Sequence, residues 1–170
     1  MNQESAKAVA AAMAAVWQGE FPATVRVLSA VSDAGRDYSP HPKSRTAWQV
    51  TTHIATADIW FIDSIINGAF IWDTEKAQEA EAQFGKVADV VAFYEKTFPA
   101  KLAGVLQLPG ETLAEDLDFF GMMTMPRAQW IGFANNHSVH HRGQLSAYLR
   151  AMGCKVPDIY GPSGDAEPAS

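Results

Sequence analysis

An all-α bundle is the fold class this sequence predicts, and three observations predict it. Long stretches rich in Ala, Leu, Gln, Glu and Lys are separated by clusters of Pro and Gly. Alternating β-branched runs are scarce, and the last long stretch carries a stripe at spacings of three and four.

The first helical stretch runs from about Ser5 to Val31, with Pro22 expected to kink or divide it. Asp33, Gly35 and Ser39-Pro40-His41-Pro42 follow as a loop. Ser44 is the expected N-cap of a second helix that reaches Ile66 and stops at Asn67-Gly68. Its apolar residues, from Trp48 to Ile66, cover more than one narrow stripe, which places it in the core or at a subunit interface. A polar connection leads to a third helix from Val87 to Leu106, with a kink expected at Pro99 and a stop at Leu108-Pro109-Gly110.

The acidic stretch Glu111 to Asp118 and the Met-rich stretch Gly121 to Pro126 read as the next connection. Pro126 suits the entrance of a fourth helix, which ends at Met152 before Gly153. Four helices with one buried face each make a four-helix bundle the economical architecture, and the long connections permit crossovers. One domain is expected over residues 1–162, closing in an extended strap, with a disordered tail at 163–170.

Composition excludes several functions. The 170 residues are 48% hydrophobic and 19% charged, so a packed core is expected. The net charge is −6 and the basic residues are scattered, which argues against nucleic acid as a partner. The single cysteine, Cys154, permits no internal disulfide, and it is read as structural. The Ala-rich opening lacks the cationic start of a secretory signal, and Asp58, Asp63 and Asn67 interrupt the most apolar stretch. A cytoplasmic protein without a membrane partner is therefore expected.

In the fourth helix Trp130, Ala134, His137, His141, Leu145, Tyr148 and Met152 form one stripe. Histidines four apart on a helix have Cβ atoms roughly 5 to 6 Å apart, close enough for both imidazoles to reach one cation. Two ligands on one helix hold a metal poorly, and His53, mid-helix on the second segment, is the natural third. His41 sits in a Pro-bounded loop, and His140 points about 100° away from His141, so neither joins the set. Unpartnered buried imidazoles are costly, and a shared divalent metal ion relieves that cost.

Further resemblance lies around these residues. His140-His141-Arg142-Gly143-Gln144-Leu145, then Tyr148-Leu149-Arg150-Ala151-Met152-Gly153 and Pro157-Asp158-Ile159-Tyr160-Gly161-Pro162, closely resemble the DinB family, also called DinB/YfiT-like. His41-Pro42-Lys43-Ser44-Arg45-Thr46-Ala47, leading to His53-Ile54-Ala55, resembles the segment that supplies the family's first metal histidine. The likeness covers Phe21 to Pro162. It implies a bundle of the DinB type, usually a homodimer, holding nickel, zinc or iron with residues that match His53, His137 and His141. It also implies that some relatives are S-transferases or isomerases using a low-molecular-weight bacterial thiol.

Three neutral nitrogens leave an open coordination position, the mark of a catalytic site. The expected activity is that of a metal-dependent transferase or hydrolase, in particular a thiol-dependent S-transferase acting on a small, partly apolar electrophile. The alternative is a metal-containing stress-response or ligand-binding module without catalysis. Trp60, Trp130, Met122, Met123 and Met125 are expected either to wall a substrate pocket or to fill plain core. Arg142 either holds the carboxylate of a thiol cofactor or, the favoured reading, pairs with an acidic residue. Asp58, Asn136 and Gln144 are the candidates for orienting an imidazole.

Overall fold

The computed structural model describes residues 1–166. Four long helices dominate: α1 (Gln3–Ser29), α2 (Ala47–Asn67), α4 (Val87–Val105) and α6 (Arg127–Ala151). Between them lie two short helices, α3 (Thr74–Ala82) and α5 (Gly110–Ala114), and a hairpin of β1 (Asp116–Phe119) and β2 (Met123–Pro126). Each long helix packs on two others: α1 on α4 and α6, and α2 on α4 and α6. The four therefore enclose one core.

Small residues set the closeness of α1. Ala6, Ala10, Ala14 and Trp17 recur one turn apart and are all buried, so α1 presents a nearly flat face with one large anchor. On α6, Gly132 allows the sulfur of Met13 to rest where a Cβ would intrude to 2.9 Å. Trp17, Phe21, Tyr94 and Phe98 then stack between α1 and α4, with Phe21 parallel to Phe98 at 5.0 Å.

Pro22 and Pro99 lie inside unbroken helices, so neither divides its segment. Burial on both sides of each proline outweighs the loss of one helical hydrogen bond. In the turn containing Pro22, the Glu20 carbonyl accepts from Thr24 Oγ1 and from Arg142. The second helix starts two residues later than Ser44 as N-cap predicts. Thr46 is its N-cap, because Gln49 stands at the position needed for a reciprocal capping box, whereas Ser44 is used in a turn with His41. Gly68 closes α2 with φ of 81°, as Asn67-Gly68 predicts.

Two connections carry structure that their composition hides. The polar connection contains α3, capped by Asp73, whose Oδ1 accepts from Lys76 N. None of its residues is buried, so no apolar stripe announces it. The acidic and Met-rich stretches hold α5 and the hairpin, in which Leu117 pairs with Met125 and Phe119 with Met123. Each strand has four residues, too few for alternation to stand out.

Beyond α6, Gly153 turns the chain with φ of 71°. Asp165 accepts from Val156 N and pairs with Arg150, which ties Ser163 to Ala166 onto the helix end. Of the tail expected to be disordered, residues 167–170 lie outside the described residues. No helix among the described residues is long and apolar enough to cross a membrane.

Candidate metal centre

His53 projects from the middle of α2, and His137 and His141 project from α6, two helices that pack along each other. One nitrogen from each ring lies within 4.8 Å of the others. His53 Nε2 and His137 Nε2 stand 3.2 Å apart, and the three ring centroids are separated by 4.5 to 5.0 Å. Two ligands of a tetrahedral centre with metal–nitrogen bonds of roughly 2.0 to 2.1 Å lie about 3.3 Å apart. The donor set and its spacing therefore fit a divalent cation. A second observation agrees: His137 Nδ1 is buried without a hydrogen-bond partner, so the cluster holds more polar nitrogen than its surroundings satisfy.

All three imidazoles are held in the neutral form that ligation requires. Burial lowers His53 to about 3, with the charge of Arg45 and the neighbouring histidines acting in the same direction. Burial lowers His137 to about 4, again helped by the other histidines and Arg45. His141 is lowered by burial too, against the opposing hydrogen bond with Gln144. Gln144 Oε1 lies 3.0 Å from His141 Nδ1, while Gln144 Nε2 donates to the Tyr148 hydroxyl. That pairing makes Nδ1 the protonated nitrogen and leaves Nε2 free to ligate. Phe61 closes one side, its ring 5.2 Å from that of His137.

The remaining residues singled out in the sequence separate into those at the cluster and those elsewhere. Trp60 lies two turns beyond His53 on the same face of α2 and lines a pocket with it. Trp130 does not: it is fully buried against Phe70, and its indole N–H donates to the carbonyls of Leu117 and Met125. It anchors the hairpin onto α6. Met122 and Met123 are turned to solvent by the hairpin and Met125 packs on the core, so none of the three lines the pocket.

Arg142 is an internal tie. Its guanidinium is buried, pairs with Glu20 at 2.6 Å and donates to the Tyr160 hydroxyl, joining α6 to α1 and to the C-terminal strap. Both terminal nitrogens of the guanidinium are thus taken up by partners within the fold. Asp58 is fully buried and accepts from Tyr94 and Ser138 instead of an imidazole. Asn136 is exposed and makes no side-chain hydrogen bond, because it lies on the outer face of α6. Cys154 is half-buried and packs against the core.

Two features escaped the sequence reading. Arg45, exposed just before α2, projects its charge onto all three histidines. Its only sequence signal is its place in the loop that leads to His53. Ile71 and Trp72, exposed apolar residues between α2 and α3, line the pocket with Trp60. An Ile-Trp pair standing directly before a polar helix was the available clue.

A helical bundle with three histidines converging from two of its helices defines a class of proteins with one candidate metal centre. The chain matches the DinB family over residues 1–168, and it belongs to that family. The uncharacterized protein YrdA of Bacillus subtilis is 29% identical over 148 residues, spanning 86% of this chain and 85% of YrdA. A DinB-like protein from Bacillus cereus superposes with a TM-score of 0.70 at 26% identity, covering 87% of this chain and 95% of its own. The DinB-like protein YjoA of Bacillus subtilis gives 0.67 at 22% identity, with coverage of 89% and 99%. Both likenesses agree on the fold.

Proposed function

We propose that this protein is a metal-dependent enzyme that transfers a low-molecular-weight thiol to a small, partly apolar electrophile. The observation that carries the reading is the convergence of His53, His137 and His141, a cluster that includes no cysteine among the described residues. The three imidazoles would hold one divalent ion and leave part of its coordination sphere open. When bound, such an ion lowers the pKa of a coordinated thiol or water, supplying a nucleophile at neutral pH.

The chain's own residues supply the rest. Gln144 fixes the tautomer of His141, and burial keeps all three rings neutral. Arg45 presents a positive charge near the cluster, which favours an anionic sulfur over a neutral one. The sulfur–carbon bond forms as the leaving group departs with its electron pair, and the thiol proton passes to solvent. Zinc, nickel and iron all suit three nitrogen ligands, so cellular supply decides among them.

The test is metal content followed by turnover. Untagged protein should carry about one divalent ion per chain, and His137→Ala should carry almost none. Cysteine, glutathione and cysteinyl-glucosamine, each mixed with monobromobimane, should be consumed faster by the loaded protein than by His137→Ala. Full metal retention by His137→Ala rejects the ligand set. Metal loss without any change in thiol consumption rejects the transfer and leaves a metal-holding or ligand-capturing module.

A further inference from the structure

We propose that the pocket between α2 and α3 binds the neutral, ring-bearing apolar part of a ligand, held beside His53. Its occupancy stands on the pocket alone, while the delivery of a reactive end to the histidine cluster rests on the metal-dependent reading above.

The space measures about 320 Å³, large enough for a small ligand group. One wall is a single stripe of α2, His53, Ala57 and Trp60; the other is formed by Ile71, Trp72 and Ala77. His53 is the one residue among those described that belongs to both the pocket and the histidine cluster. A group seated here therefore adjoins the place where a metal would sit.

The chemistry of the walls selects a ring. The Trp60 indole N–H donates to the Ile71 carbonyl at 2.9 Å, so this indole has no unpaired donor to offer a ligand. Trp72 meets Trp60 edge-on, with centroids 5.6 Å apart and planes at 80°. Two perpendicular aromatic surfaces give an inserted ring one face to stack on and one edge to meet. Asp73 and Glu81 outnumber Lys76 among the lining residues, which disfavours an anion, while Ala57, Trp60, Ile71 and Trp72 offer apolar walls to a neutral group.

Two apparent liabilities of the fold become intelligible with the pocket filled. Ile71 is 72% and Trp72 56% exposed, a large apolar area for two consecutive residues. A ligand ring would cover part of it. Helix α3 has nine residues and buries none of them, although a helix this short has little stability without packing. Its small residues Ala77 and Ala80 face the gap over α2, and a bound ring would supply the missing contact.

The probe is N-phenyl-1-naphthylamine, a neutral ring compound that fluoresces on leaving water. Wild type should give a saturable rise in fluorescence with one site per chain. Ala77→Trp fills the space from the side of α3 that faces α2 and should weaken binding at least tenfold, and Ala80→Trp serves if the first variant does not fold. 2-Naphthol should displace the probe, and 1-decanol should not. His141→Ala, which lies outside the pocket, should lose metal yet bind the probe as wild type does.

No saturable binding, wild-type affinity in a folded filling variant, or equal displacement by decanol would each overturn the proposal. Metal retention by His141→Ala together with normal probe behaviour would count against the metal reading alone.

Discussion

His53 Nε2 and His137 Nε2 meet at 3.2 Å across a separation of 84 positions in the chain. Each ring belongs to a different long helix, so a cation between them would fasten α2 to α6. A ligand that binds only the folded chain stabilises it by about 2.7 kcal/mol at a hundredfold excess over its Kd. For a domain of this size that is a rise in Tm of roughly 5 to 10 °C. Calorimetry of chelator-stripped protein, repeated after adding zinc or nickel, should show the rise, and His137→Ala should show none. An equal rise in the variant would mean that the ion binds elsewhere.

Gln144 is a positioning residue, since it touches His141 and nothing that reacts. Replacing it with Leu removes the acceptor for Nδ1–H and lets the ring turn. Loss of such a partner typically costs about 10- to 100-fold in metal affinity. Competition against a colorimetric chelator should find that loss, with the unfolding midpoint of the stripped protein little changed. Gln144→Glu keeps the acceptor and should recover the affinity.

Asp58 makes a pH prediction whose sign is fixed. Burial pushes its carboxyl up to about 7, against the lowering effect of hydrogen bonds from Tyr94 and Ser138. Between roughly pH 4 and 7 the folded protein keeps this proton and the unfolded chain has released it. The stability this group contributes is complete at the acid end and lost as pH rises through 7. Asp58→Asn retains an acceptor for both hydroxyls without the ionisation. The stability of the variant relative to wild type should therefore climb from pH 4 to 7, by at most about 1.4 kcal/mol per pH unit, and level off above. The histidines, whose lowered pKa values act in the opposite sense, are common to both proteins and cancel. Urea denaturation of the stripped proteins at five pH values measures the difference, and a flat difference would show that the carboxyl ionises normally in the fold.

The long helices and the triad were legible because both obey a period of three to four. His137, His141 and Leu145 lie on one stripe of α6, and His53 lies mid-helix where such a stripe must pack. The pocket was not legible, because it is made where elements meet. Trp60 and Trp130 look alike as apolar residues at helical spacing, yet one borders the pocket and the other is sealed beneath the hairpin. Helix α3 buries no side chain, so the hydrophobic pattern that reveals a helix is missing there. Arg45 influences the cluster through space from a loop, where no periodicity exists to expose it.

Arg142 separates a structural cation from a ligand-binding one. Its guanidinium is almost wholly buried and is consumed by Glu20, the Glu20 carbonyl and the Tyr160 hydroxyl. Removing one partner of a buried pair strands the other charge and typically costs roughly 3 to 5 kcal/mol. Arg142→Met, which keeps most of the apolar stem, should lower the urea midpoint by a corresponding amount. Glu20→Gln strands the guanidinium instead, yet the amide oxygen still accepts one of its hydrogen bonds, so its cost should be smaller. In both variants the metal content per folded chain should equal that of wild type, because Arg142 touches none of the three imidazoles. If Arg142→Met were as stable as wild type but lost affinity for a thiol carboxylate, the guanidinium would have to leave Glu20 when ligand binds. The double variant decides between these outcomes: with both charges gone, a purely structural pair should recover part of the lost stability.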